Sequence, residues 1–214
     1  MHVASVDGTV IRSHLRRLRQ TAEAFEPEAG KLARWGLLLA RTLVGGGRLL
    51  VAGNGGSAAQ AQHLAAEFVG KLRADRVPLS AIALTADTCG MTAIANDYGY
   101  GHVFARQVRA HGTPGDVLLL ISTSGRSPNL LEAADTGRAI GMRTWAFTGD
   151  LPNPLAQRCT ETVAVPSGDT QIVQELQLAA AHLLCEYVDA TLARAHEAPP
   201  TPQVELRLVT GAPR

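Results

Sequence analysis

Several features are scarce or missing in this 214-residue chain, and each absence narrows what the chain can be. Cysteine is scarce: Cys89, Cys159 and Cys185 are scattered, odd in number and without metal-ligand spacing. That pattern suits a reducing cytosol better than a disulfide framework. A surplus of charge is missing, the formal net charge being +1, whereas a general nucleic-acid binder carries a basic surplus or stripe. Arg12, Arg16, Arg17 and Arg19 do cluster near the N-terminus, and they read as a solvated helix face. No uninterrupted apolar stretch is long enough to cross a bilayer, and no secretory h-region opens the chain. The expectation is a soluble, cytoplasmic protein without nucleic-acid or membrane partners.

Three familiar motifs are absent as well. The serines at the glycine turns lack the G-x-S-x-G elbow of a serine nucleophile. The glycines of the first turn are spaced G-x-G-G, not G-x-G-x-x-G, and no acidic residue closes a second strand at the dinucleotide spacing. The Walker lysine is missing too.

What is present is a pair of polar, glycine-bearing turns, each placed directly after a strand-like apolar run. Gly53-Asn54-Gly55-Gly56-Ser57 follows Leu49-Leu50-Val51-Ala52, and Ser122-Thr123-Ser124-Gly125-Arg126-Ser127 follows Val117-Leu118-Leu119-Leu120-Ile121. Both lead into helix-like sequence, so each sets small hydroxyls and unpaired backbone N–H groups at a helix N-terminus, where an anion is favoured. Two such cradles in one chain point to a small phosphorylated ligand.

The length allows one substantial core. Residues 10–43 have helical periodicity, broken at Glu26-Pro27 and ended by Gly45-Gly46-Gly47. Strands are then predicted over Arg48–Gly53, Leu79–Leu84, Asp116–Ser122, Arg143–Thr148 and Glu161–Val165. Helices are predicted over Ser57–Leu72, His102–Ala110, Leu130–Ile140 and Gln171–Ala195, with a short one at Pro152–Arg158. Apolar strands alternating with helices imply an α/β fold, a doubly wound parallel five-stranded sheet covered on both faces. The organisation reads as an N-terminal helical segment (1–47), a sheet domain (48–197) and a Pro-rich tail (198–214), within which Val204–Val209 either frays or packs on a neighbour. Ligands of such sheets bind at the carboxyl ends of the strands, where both turns fall.

His63 and Glu67 are four apart on the helix after the first turn and share a face. They suit either a helix-surface hydrogen bond or, beside a bound ligand, a shared metal or proton-transfer task. The last helix carries Gln174, Glu175 and His182, the last in an apolar run where a histidine is more often a satisfied core residue than a ligand. Two His, one Glu and one Gln would make a mixed nitrogen–oxygen metal site if the helices met. Asn96-Asp97-Tyr98-Gly99-Tyr100 reads as a loop whose Asn96 and Asp97 suit sugar hydroxyls.

In this order, the two turns together with Gln62-His63-Leu64-Ala65-Ala66-Glu67, Ala95-Asn96-Asp97-Tyr98-Gly99 and Gln174-Glu175 resemble the sugar isomerase (SIS) domain, and within it the sedoheptulose-7-phosphate isomerase family. The likeness runs from about Val10 to about Ala195. It implies a flavodoxin-like three-layer sandwich whose N-terminal helices build a homotetramer with sites at subunit interfaces. It implies phosphate binding by Ser122, Thr123, Ser124 and Ser127, and sugar contacts from Asn54, Gly55, Gly56, Ser57, Asn96 and Asp97. It implies one zinc ion per subunit on His63, Glu67, Gln174 and His182, with Glu67 and His182 as the acid/base pair and Glu67 and Gln174 also touching substrate. The implied reaction is a ketose–aldose isomerisation through an enediol(ate). Arg126, Gln171 and Gln177 depart from the family pattern and leave the sugar open. Isomerisation of another phosphosugar is one alternative, and a non-catalytic SIS adaptor for a replication-initiator-type partner is another. The retained His63, Glu67 and His182 favour an enzyme.

Overall fold

The computed structural model describes residues 8–197, so the expectations for residues 198–214 lie outside the described residues. Two helices open it, α1 (Thr9–Phe25) and α2 (Ala29–Val44), joined by a tight turn at Glu26–Glu28 with Pro27 inside it. Five strands follow: β1 (Leu49–Gly53), β2 (Ala81–Ala83), β3 (Val117–Ser122), β4 (Arg143–Thr148) and β5 (Glu161–Ala164). They form one all-parallel sheet in the order β2-β1-β3-β4-β5. The connecting helices are α3 (Gly56–Val69), α4 (Thr88–Tyr98), α5 (Val103–His111), α6 (Pro128–Ile140) and α7 (Pro154–Arg158), and α8 (Thr170–Glu197) closes the fold.

The strands are apolar without alternation because both faces of the sheet are covered. Leu49, Val51, Val117, Leu119 and Ile121 join one core with α2, α3 and α8. Their neighbours Leu50, Ala52, Leu118 and Leu120 join a second core with α5 and α6. Trp35 of α2 is fully buried and stacks on Trp145 of β4, ring centroids 4.4 Å apart. The second N-terminal helix is thus part of the sheet's own core. α1 is different: it buries only Phe25 and leaves Val10, Ile11 and Leu15 exposed.

The chain runs from β1 outward to β2, returns over β1 to β3 and continues to β4 and β5. Since α3 covers one face and α6 the other, the crevice at the topological switch point opens between the carboxyl ends of β1 and β3.

Three expectations are corrected. Asn96 and Asp97 belong to the last turn of a helix, α4, and not to a loop. That helix has no fully buried residue, so its apolar periodicity is weak. Asp87 starts it by accepting a hydrogen bond from the Gly90 N–H at 2.9 Å. The second strand is only Ala81–Ala83, an edge strand, and α3 stops at Val69, short of Leu72. Among the described residues no helix is long and apolar enough to cross a membrane.

Candidate active site

Gly53 at the end of β1 pairs in register with Ile121 of β3, so the two polar turns leave adjacent strands side by side. The first turn enters α3 at Gly56, where a Cβ would lie 2.7 Å from Nε2 of Gln174 and would have to displace that side chain. Ser57 is buried in the first turn of α3. Asn54, between the glycines, is held by three hydrogen bonds. Its Nδ2 donates to Asn129 Oδ1 at 3.0 Å, the Asn129 amide donates back to Asn54 Oδ1 at 2.9 Å, and the Tyr100 hydroxyl donates to the same oxygen at 3.0 Å. Asn129 is buried at the start of α6, so this reciprocal amide pair ties the first turn to the second.

The second turn is organised by its own hydroxyls. Ser122 Oγ accepts the Gly125 N–H at 3.0 Å, and Ser124 Oγ accepts the Arg126 N–H at 3.3 Å. Each oxygen is thereby used as an acceptor, and its proton is left to donate outward, as an anion requires. Gly125 sits at φ +61°, and a Cβ on it would collide with the side chain of Asn153, so only glycine fits. Ser127 caps α6 through its backbone, with no side-chain capping bond. A 250 Å³ cavity opens beside this turn, lined by Thr123, Ser124, Arg126, Asn153, Ser167 and Thr170 among others. A larger, apolar cavity of 520 Å³ lies elsewhere, between Leu43, Leu79 and Leu192.

Glu67 and the two histidines come together where α3 crosses α8. His63 Nε2 lies 2.9 Å from His182 Nε2 and 3.4 Å from Glu67 Oε1. One donor atom from each of the three falls within 4.8 Å of the others. A tetrahedral zinc ion with ligands at about 2.0–2.1 Å separates neighbouring donor atoms by about 3.4 Å. The His63–Glu67 spacing already has that value, and the histidines need only a small outward movement. The donor set, two imidazoles and a carboxylate on rigid helices, therefore fits zinc. Gln174 lies against Gly56, its carbonyl accepting from Gln60 Nε2 at 2.6 Å. Its side chain forms no hydrogen bond with the three donors among the described residues. Burial, followed by the charges of Glu67 and Asp189, pushes the Cys185 thiol up to about 12, and its sulfur is not among the donor atoms that converge.

Asn96 and Asp97 are exposed and bonded to each other, Nδ2 to Oδ1 at 2.9 Å. Tyr100, two residues beyond α4, carries their segment to the first turn. Sequence reasoning missed Asn129 and Tyr100 as supports of Asn54, although Asn129 is legible as the second residue after Ser127 in the helix that the second turn opens. It also missed His14, whose Nε2 lies 2.8 Å from Glu175 Oε1 and joins α1 to the start of α8.

A parallel sheet with two polar, glycine-bearing turns side by side at its switch point, and two histidines and a carboxylate meeting where two of its helices cross, has the layout of an α/β domain that holds a small ligand. Residues 13–149 match the SIS domain family. A phosphoheptose isomerase of Streptomyces coelicolor is 59% identical over 181 residues, covering 85% of this chain and 78% of that protein. The solved structure of a phosphoheptose isomerase from Neisseria gonorrhoeae superposes with a TM-score of 0.79 at 36% identity, over 85% of this chain and 98% of that one. One from Francisella tularensis gives 0.79 at 31%, over 88% and 100%. The chain belongs to the phosphoheptose isomerase family of SIS-domain proteins.

Proposed function

We propose that the protein converts sedoheptulose 7-phosphate to D-glycero-D-manno-heptose 7-phosphate, a step in heptose biosynthesis. The observation that carries this reading is the meeting of His63 and Glu67, on the helix that the first polar turn opens, with His182 of α8, in a chain of the phosphoheptose isomerase family.

Ser122, Thr123, Ser124 and Ser127 bind the phosphate, and Asn54, Gly55, Gly56 and Ser57, with Asn96, Asp97 and Gln174, orient the sugar chain. The Glu67 carboxylate removes a proton from C1. The C–H electrons form the C1–C2 double bond, and the C2 oxygen takes a proton from His182. Proton return reverses the pattern: the C1 hydroxyl gives up its proton to His182, the carbonyl forms at C1, and Glu67 delivers its proton to C2. His63, Glu67, Gln174 and His182 would hold one zinc ion, which when bound polarises a carbonyl. A carboxylate shared with a cation is a weaker base, so the two roles of Glu67 compete.

The exposed Val10, Ile11 and Leu15 of α1 support burial between copies, and we assign the protein to a homotetramer with sites completed at subunit interfaces. The helical segment 1–47 builds that assembly, the domain 48–197 binds the phosphosugar, and three unpaired cysteines suit the cytoplasm.

The test is NMR of sedoheptulose 7-phosphate in D2O with the protein, with and without a chelator. An aldoheptose 7-phosphate carrying solvent deuterium at C2 is the expected product. No turnover by folded, zinc-loaded protein would overturn the assignment of this sugar.

A further inference from the structure

Arg76 lies in the connection between α3 and β2, and its side chain is only 10% exposed. Its guanidinium is spent on two helices at once. Nη2 donates to the carbonyl of Glu67 at 2.8 Å and Nη1 to the carbonyl of Phe68 at 2.9 Å, both in the last turn of α3. Nε donates to Asp189 Oδ1 of α8 at 2.7 Å. The last carbonyls of a helix have no partner within it, and a cation is favoured at that end of the dipole. Arg76 therefore caps α3 at Glu67 itself. Asp189 is two helical turns beyond His182, on the same face of α8. The fork thus joins the two helices whose facing side chains form the cluster. At the opposite end of the crossing, Gln60 binds the Gln174 carbonyl, and the cluster lies between these two struts.

We propose that Arg76, held by Asp189, is the positioning residue of the site: it fixes the turn bearing Glu67 against α8 so that His63, Glu67 and His182 converge. This rests on reading the three as a metal and proton-transfer site. Lysine keeps the charge of Arg76 but has no fork to span two carbonyls and a carboxylate. R76K and D189N are expected to lower zinc affinity about 10- to 100-fold in competition with a chromophoric chelator, the range found when outer-shell supports of metal ligands are removed. The kcat should fall in parallel while KM for the sugar phosphate stays within about twofold, since neither residue touches the cradles. Crystal structures of the metal-free wild type and variants should show the His63–His182 separation widened in the variants. The proposal is overturned if R76K and D189N keep wild-type zinc affinity and ring spacing, even with a lower Tm, because Arg76 would then be a stabilising cap only. Should the wild type bind no zinc, the metal assignment fails, and the ring spacing alone decides the role of Arg76. If R76K does not fold, D189N carries the test.

Discussion

Zinc linked to folding gives the sharpest test of the cluster. Its donors come from positions 119 apart in sequence, on two helices that meet only in the folded chain. The unfolded chain keeps at most the His63–Glu67 pair, so nearly all the binding free energy appears as stability. At free zinc of 100 times Kd the gain is about 2.7 kcal/mol. A domain of this size moves its Tm by about 2–4 °C per kcal/mol, which makes the rise about 5–11 °C. Calorimetry of chelator-stripped protein, titrated with zinc, measures it directly. H182A leaves only two facing donors, and its Tm should move by less than about 2 °C at the same zinc concentration. H182A should fold, because His182 is partly solvated and its neighbours Ala181 and Leu184 hold the helix to the core. An equal rise in wild type, H63A and H182A would refute the reasoning and put the ion elsewhere.

E67Q keeps the shape of Glu67 and removes the base; kcat should fall about 10²- to 10⁴-fold while the fold persists, and undiminished turnover would remove Glu67 from proton transfer. Arg126 lines the cavity beside the second turn, and R126N should raise KM for the sugar phosphate about tenfold at low salt, less at high salt, with kcat unchanged; a KM independent of charge and salt would place the phosphate elsewhere. W35A empties the stack on Trp145 and should cost about 3–5 kcal/mol in urea unfolding, and a loss below about 1 kcal/mol would contradict its place in the core. Burial pushes Cys159 and Cys185 up to about 12 from 9.0, so above pH 9 the unfolded chain loses its thiol protons first. Their contribution is full below pH 9 and declines as pH rises toward 12; a C159A/C185A variant should flatten that decline in denaturation midpoints, and an unchanged slope would reject the assignment.

The sheet was readable because strands covered on both faces are apolar without interruption, as in Val117–Ile121, and because glycine and serine mark where a strand hands over to a helix. The two polar turns were readable for the same reason. Helix α4 was not: with no buried face it lacks the apolar repeat, and its cap Asp87 resembles any turn residue. His63 and Glu67 announced a shared face through their spacing, whereas the arrival of His182 depends on how α3 crosses α8, which local sequence does not encode. Arg76 and Tyr100 carry no local signal either, and Asn129 is marked only by its place just after the second turn. Their partners are a carbonyl, an amide and a carboxylate supplied by distant segments.

The amide pair between Asn54 and Asn129 has an evolutionary consequence. Each side chain is donor and acceptor to the other across 75 positions of chain. Aspartate at either position would set two acceptors face to face, and an apolar residue would leave the remaining amide without its reciprocal partner. Neither position can therefore drift alone: the two should persist together or be exchanged together along a lineage. Tyr100, which touches only one of them, is free to vary at its own pace.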